Sequence, residues 1–160
     1  MKNKILNISN LNKIIGKLKK NNNKVVLCHG VFDLLHLGHF EHFKKAKHFG
    51  DVLIVSVTSD KFVNKGPNQP FFNINERINA LSNIESIDYL IESNNADAVN
   101  IIKLIKPNIY CKGTDYKNHK KDLTGKITKE IKVLNKNGGK IVYTNEITFS
   151  SSKLLNESNL

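Results

Sequence analysis

The stretch from Val25 to His39, which reads Val-Val-Leu-Cys-His-Gly-Val-Phe-Asp-Leu-Leu-His-Leu-Gly-His, constrains this chain more than any other. Val25, Val26 and Leu27 make a continuous apolar run, the pattern of a strand covered on both faces. Leu37, Phe40, Phe43 and Ala46 then recur at three-residue spacing, which predicts one face of a helix from about Leu37 to His48. The intervening loop therefore ends at a helix N-terminus, where unpaired N–H groups and the positive end of the dipole suit a phosphate. The strand reads as the central one.

His36 and His39 lie three positions apart, so in a first helical turn both rings project from one side toward whatever occupies that N-terminus. Gly38 between them removes a side chain where a ligand could approach. Imidazole N–H groups donate to phosphate oxygens. A phosphate nucleophile is already ionised near neutral pH, so the chemistry calls for charge stabilisation more than for a strong base. Phosphoryl or nucleotidyl transfer follows. His42 extends the series and, with Asp33, offers ligand types that zinc accepts. Steps of three drift around a helix, however, and no CxxC pair or further histidine accompanies them, so no metal site is expected. His42, His48 and His119 read as structural or surface groups.

With 160 residues the chain is expected to form one domain over 1–160, its core spanning about 24–155. The formal charge of +11 comes from lysines dispersed among acidic residues, a solvated surface rather than a nucleic-acid face. Cys28 and Cys111 each sit alone in a predicted strand and read as buried reduced thiols of a cytoplasmic protein. No apolar leader segment and no run approaching a membrane span is present, so neither signal peptide nor membrane partner is expected.

The remaining elements alternate. Ser9-Asn10 caps a predicted helix through Lys20, with Leu11, Ile14, Ile15 and Leu18 on one face. Val52 to Val57 is a second buried strand, and Thr58-Ser59-Asp60 lies at its C-terminal end, the edge where parallel sheets place ligands. Asn64 to Pro70 is a loop suited to a lid, and a helix follows from about Asn75 to Glu85. Lys65 in that loop and Arg77, the single arginine, could both reach a polyphosphate; the plainer alternatives are an exposed lysine and a structural ion pair. Further on come a strand at Tyr89–Ile91, a helix from Ala96 to Lys106 stopped by Pro107, and a strand at Asn108–Cys111. That strand runs into Lys112-Gly113-Thr114-Asp115-Tyr116. Another helix reaches Gly138-Gly139, and Ile141 to Tyr143 is the last strand. Ser150, Ser151 and Ser152 open a final helix, where serines cap the helix or hold a phosphate. The alternation predicts a doubly wound, Rossmann-like α/β sheet of about five parallel strands.

Gly30-Val31-Phe32-Asp33-Leu34-Leu35-His36-Leu37-Gly38-His39 resembles the signature of the HxGH nucleotidyltransferases, the cytidylyltransferase-like superfamily. The resemblance implies that Gly30, Val31, Phe32, Asp33 and Gly38, with His36, His39, Lys65, Arg77 and Ser150, Ser151 and Ser152, surround a nucleoside triphosphate. Ile105 to Tyr116 and Asn137 to Val142 further resemble the heptose-1-phosphate adenylyltransferase domain. Lys65-Gly66 also looks like glycerol-3-phosphate cytidylyltransferases, although Asn145 stands about where those enzymes carry an arginine. The implied activity moves a nucleoside monophosphate from ATP, with CTP as the alternative, onto a phosphorylated sugar or polyol, releasing pyrophosphate. Magnesium would arrive with the nucleotide, and Lys112, Gly113, Asp115 and Tyr116 would contact base or acceptor. Related enzymes are often homodimers. A nucleotide-binding module without catalysis is the alternative from another class.

Overall fold

The computed structural model describes residues 3–117 and 124–145. Ser150, Ser151 and Ser152, the expected final helix and His119 lie outside the described residues, as does the side chain of Asp115. Among the described residues six strands and five α-helices run in the order β1 (Ile5–Leu6), α1 (Ile8–Lys20), β2 (Val25–Gly30), α2 (Leu37–Lys47), β3 (Val52–Thr58), α3 (Ile74–Ser82), β4 (Tyr89–Ser93), α4 (Val99–Ile105), β5 (Ile109–Lys112), α5 (Lys126–Lys136) and β6 (Lys140–Tyr143). The sheet order is β1-β4-β3-β2-β5-β6, and every neighbouring pair is parallel. The chain winds from β2 through β3 to β4, then crosses back to place β5 on the other side of β2. That reversal leaves a crevice at the C-terminal ends of β2 and β5, where open parallel sheets accept ligands.

The sheet has six strands rather than about five because Ile5–Leu6 pairs with Leu90 and Ile91 at one edge. Two residues carry no readable alternation, so sequence pattern could not reveal that strand. The first helix begins earlier than expected: Asn7 caps it, accepting from the Asn10 N–H at 2.8 Å, in place of Ser9-Asn10. Asn73 and Glu76 form a reciprocal capping box that fixes the start of α3.

Strand alternation divides the core into two layers. Val25, Leu27, Ile54 and Tyr110 face α1, α4 and α5, whereas Val26, Cys28, Val55 and Cys111 face α2 and α3. Phe43 and Ala46 of α2 are fully buried, but Leu37 is 59% exposed and Phe40 42% exposed. A three-residue step falls about 60° short of a full turn, so a series of four such positions sweeps to the opposite side of the helix. The four residues therefore do not form one face.

Gly50 closes the turn between α2 and β3, and its Asp51 N–H donates to the Lys24 carbonyl at 2.8 Å. A Cβ on Gly50 would stand 2.6 Å from that same carbonyl oxygen and 2.8 Å from Val26 Cγ2. Neither neighbour is the flexible end of a side chain. Gly50→Ala is expected to destabilise the chain by about 1–3 kcal/mol, read as a lowered urea midpoint with an unchanged m-value.

Candidate nucleotide site

The loop after β2 is bent by two non-glycine residues in the left-handed region, Phe32 at φ 51° and Leu34 at φ 44°. Such conformations cost on the order of 1–3 kcal/mol each and persist only where neighbours hold them. Three sets of contacts do so here. The Phe32 ring folds back over Gly30, where a Cβ would lie 2.9 Å from its Cζ atom, so only glycine admits this packing. The same ring meets Phe43 edge-on at 5.1 Å and His39 at 5.9 Å between centroids. The Asp33 carboxylate accepts from the backbone N–H of Leu34, of Phe71 and of Phe72, stapling the loop to the segment before α3.

Arg77 supplies the third set. Its side chain is 1% exposed. Nε donates to the Phe72 carbonyl at 3.0 Å, Nη1 to the Val31 carbonyl at 2.6 Å, and Nη2 to the Thr58 carbonyl at 2.8 Å and the Asp60 carboxylate at 2.6 Å. One guanidinium thus joins the loop after β2, the end of β3 and the start of α3. Four of its five donors are taken up by protein acceptors, which is the structural-ion-pair alternative in geometric form.

His36 and His39 stand at the start of α2 with ring centroids 3.9 Å apart. The His36 backbone N–H donates to His39 Nδ1 at 3.3 Å. An Nδ1 that accepts leaves the ring proton on Nε2, so His39 is a neutral imidazole with an Nε2–H donor. Gly38 between them is buried within α2.

A cavity of about 370 Å³ opens beside this loop, its wall including Gly30, Val31, Thr58, Lys65, Lys112, Tyr116 and Lys126. His36 and His39 are not among the lining residues; Gly30 and Val31 belong to both the cavity wall and the loop leading to the histidines. Lys112 is buried, with Nζ 3.9 Å from the Tyr116 ring centroid and 3.4 Å from the His29 carbonyl that accepts from it. The aromatic face holds the ammonium in place. Gly113 caps the short turn that carries Tyr116, its carbonyl accepting from the Tyr116 N–H at 3.2 Å. Lys65 is exposed at the cavity rim and Lys126 starts α5, so three ammonium groups border one cavity. That arrangement favours an anion. Glu130, also in the wall, is committed elsewhere: its carboxylate accepts from the Ala98 N–H at 2.8 Å and the Tyr110 hydroxyl at 2.9 Å. Burial and Glu130 together push the Tyr110 phenol well above its ordinary range.

Sequence reading placed Thr58 at the ligand edge of the sheet, where it lines the cavity, but did not single out His29 or Lys126. His29 sits at the C-terminal end of the central strand, and a polar residue in a buried run is the signal that could have found it. Its Nδ1 lies 3.1 Å from Ser56 Oγ. Burial first, then the nearby Lys112 and Lys126 charges, lower its pKa from 6.5 to about 3. His29 is therefore neutral and adds no charge to the cavity at neutral pH.

The cytidylyltransferase-like family model matches residues 27–156. Bifunctional protein HldE of Aliarcobacter butzleri is 36% identical over 127 residues, covering 78% of this chain and 26% of that protein. Bifunctional protein HldE of a Nitratiruptor species is 39% identical over 120 residues, covering 73% and 26%. The chain spans about a quarter of the length of these relatives. Among solved structures, the lipopolysaccharide core biosynthesis protein from Thermoplasma volcanium superimposes with a TM-score of 0.62 at 28% identity, covering 80% of this chain and 99% of that one. The pantoate-beta-alanine ligase from Francisella tularensis shares the fold, with a TM-score of 0.61 at 18% identity over 95% of this chain and 72% of the other.

Two outcomes follow from this geometry. Arg77→Met leaves the Val31 and Thr58 carbonyls without their donor and should cost about 2–4 kcal/mol in urea unfolding. Because the folded chain refuses a proton on His29 that the unfolded chain accepts, stability falls as pH drops from 6.5 toward about 3. His29→Asn should flatten that part of the pH dependence when unfolding free energies are measured from above pH 6.5 down to about pH 5.

Proposed function

The chain belongs to the cytidylyltransferase-like family, and on that footing we propose that it transfers the nucleoside monophosphate of an NTP, ATP ahead of CTP, to a phosphorylated sugar. The similarity to HldE proteins supports the sugar phosphate assignment, and the preference for ATP rests on the resemblance of Ile105–Tyr116 to the heptose-1-phosphate adenylyltransferase domain. The observation that carries the reading is the close His36–His39 pair at the N-terminus of α2, beside a strained loop whose conformation is held by Asp33 and Arg77.

In this reading the acceptor phosphate oxygen attacks the α-phosphorus in line, a new P–O bond forms, and the α–β bridging bond breaks to release pyrophosphate. Charge grows on the α-phosphoryl oxygens and the bridging oxygen. The Nε2–H of His39, the His36 ring and the open N–H groups of α2 stabilise that charge without reorganising during the reaction. Lys65 at the rim holds the leaving phosphates; Ser150, Ser151 and Ser152 have the same assignment from family resemblance. Arg77 acts by holding Val31 and the loop in place. Lys112 and Tyr116 contact base or acceptor at the end of β5, with Gly113 shaping the turn and Asp115 completing the group.

Asp33 and Asp60, the carboxylates beside the loop, are engaged by backbone N–H groups and Arg77. That commitment suits magnesium carried in by the triphosphate and its waters, since this ion dehydrates reluctantly and needs few protein ligands. It would offset phosphate charge when bound.

The test is pyrophosphate release with magnesium and ATP or CTP, each crossed with heptose 1-phosphate, glycerol 3-phosphate and other sugar phosphates. ATP with a sugar 1-phosphate is the expected productive pair; nucleotide binding with no pyrophosphate release from any pair would overturn the catalytic reading. His36→Ala and His39→Ala should each lower kcat by at least about 10²-fold with a smaller change in KM, in chains that still unfold cooperatively in urea.

A further inference from the structure

Cys28, Cys111 and His42 converge under α2, away from the cavity. The β2–β5 register pairs Val26 with Ile109 and Leu27 with Tyr110, so the next residues, Cys28 and Cys111, stand side by side on the face covered by α2. His42 descends from α2 onto them. One ligand atom from each residue lies within 4.8 Å of the others, and all three side chains are buried.

The His42 ring is held by an outer hydrogen-bond partner. Thr144 Oγ1 lies 2.6 Å from His42 Nδ1 and 3.3 Å from the Lys112 carbonyl. In the Nδ1–H tautomer His42 donates to Thr144, whose hydroxyl passes its proton on to the Lys112 carbonyl. The Nε2 atom then carries the lone pair. This is the state of a metal-ligating histidine, whose other ring N–H is held by an outer hydrogen-bond partner.

We propose that Cys28 Sγ, Cys111 Sγ and His42 Nε2 bind one structural zinc ion. Zinc takes thiolate and imidazole ligands at about 2.3 and 2.0–2.1 Å, and these three side chains supply two sulfurs and one nitrogen of such a set. Binding breaks two S–H bonds, releases both protons to water and forms two Zn–S bonds. Two thiolates and Zn2+ sum to zero charge, which an apolar layer accepts, whereas a monovalent ion would leave a buried net charge. The ion ties β2, β5 and α2 together just behind Gly30, Lys112 and the histidine pair. Its role is to fix those elements; it does not touch the reacting atoms, and it stands independently of the nucleotide assignment.

The test is elemental analysis of the full chain, purified without chelator or an immobilised-metal column from zinc-supplemented cells. One zinc per chain is expected, falling to background in Cys111→Val and in His42→Gln, and retained in His48→Gln, an exposed residue just past the end of α2. Protein produced in cobalt-supplemented medium should show a thiolate-to-cobalt charge-transfer band that Cys28→Ser abolishes. Background zinc in the unmodified chain together with no such band overturns the proposal, and so does a stoichiometric ion that survives both Cys111→Val and His42→Gln.

Discussion

The Arg77 guanidinium is the contact on which the candidate site depends. It is the single arginine of the chain, buried, and bonded to backbone carbonyls from three segments that are far apart in sequence. Its fork geometry is what allows one side chain to satisfy Phe72, Val31 and Thr58 at once, and Asp60 supplies the counter-charge. With those carbonyls held, Phe32 and Leu34 can occupy left-handed conformations that short peptides avoid. Asp33 reinforces the same junction from the other side by accepting N–H groups of Phe71 and Phe72. The strain is local and the restraint is tertiary.

A second consequence concerns charge. Three lysines border one cavity at the crevice between β2 and β5, and His29, the one histidine in its wall among the described residues, is held neutral. Lys112 and Lys126 contribute to that neutrality, because a protonated His29 would be a further cation in a confined space. The cavity thus concentrates positive potential on flexible or aromatic-anchored ammonium groups, while His29 contributes shape and hydrogen bonding through Ser56. The two halves of the site, the histidine pair and the lysine-bordered cavity, meet at Gly30 and Val31. No helix among the described residues is long and apolar enough to cross a membrane.

Much of this was legible in the residue order. The buried runs of β2, β3 and β4, the alternation of strands with helices and the Gly30–His39 signature are local patterns, and the parallel sheet follows from them. Boundaries were less legible where side chains decide them: Asn7 rather than Ser9-Asn10 caps α1, and a two-residue edge strand has too short a period to read. The apparent Leu37–Phe40–Phe43–Ala46 face shows the limit of spacing alone, since residues at three-residue steps rotate off any single face. The same rotation carries His42 away from His36 and His39 and into the core.

The sequence by itself determined the strand-loop-helix unit, the paired histidines at a helix start and the class of sheet, because each depends on periodicity and neighbours within a few positions. Only the tertiary structure decided what the isolated residues do. Arg77 could be read as a phosphate ligand or an ion pair until its donors were seen to end on Val31, Phe72, Thr58 and Asp60. Cys28 and Cys111 looked solitary until the β2–β5 register set them side by side under His42. Contacts between distant positions are fixed by strand order and packing, and neither leaves a periodic trace along the chain.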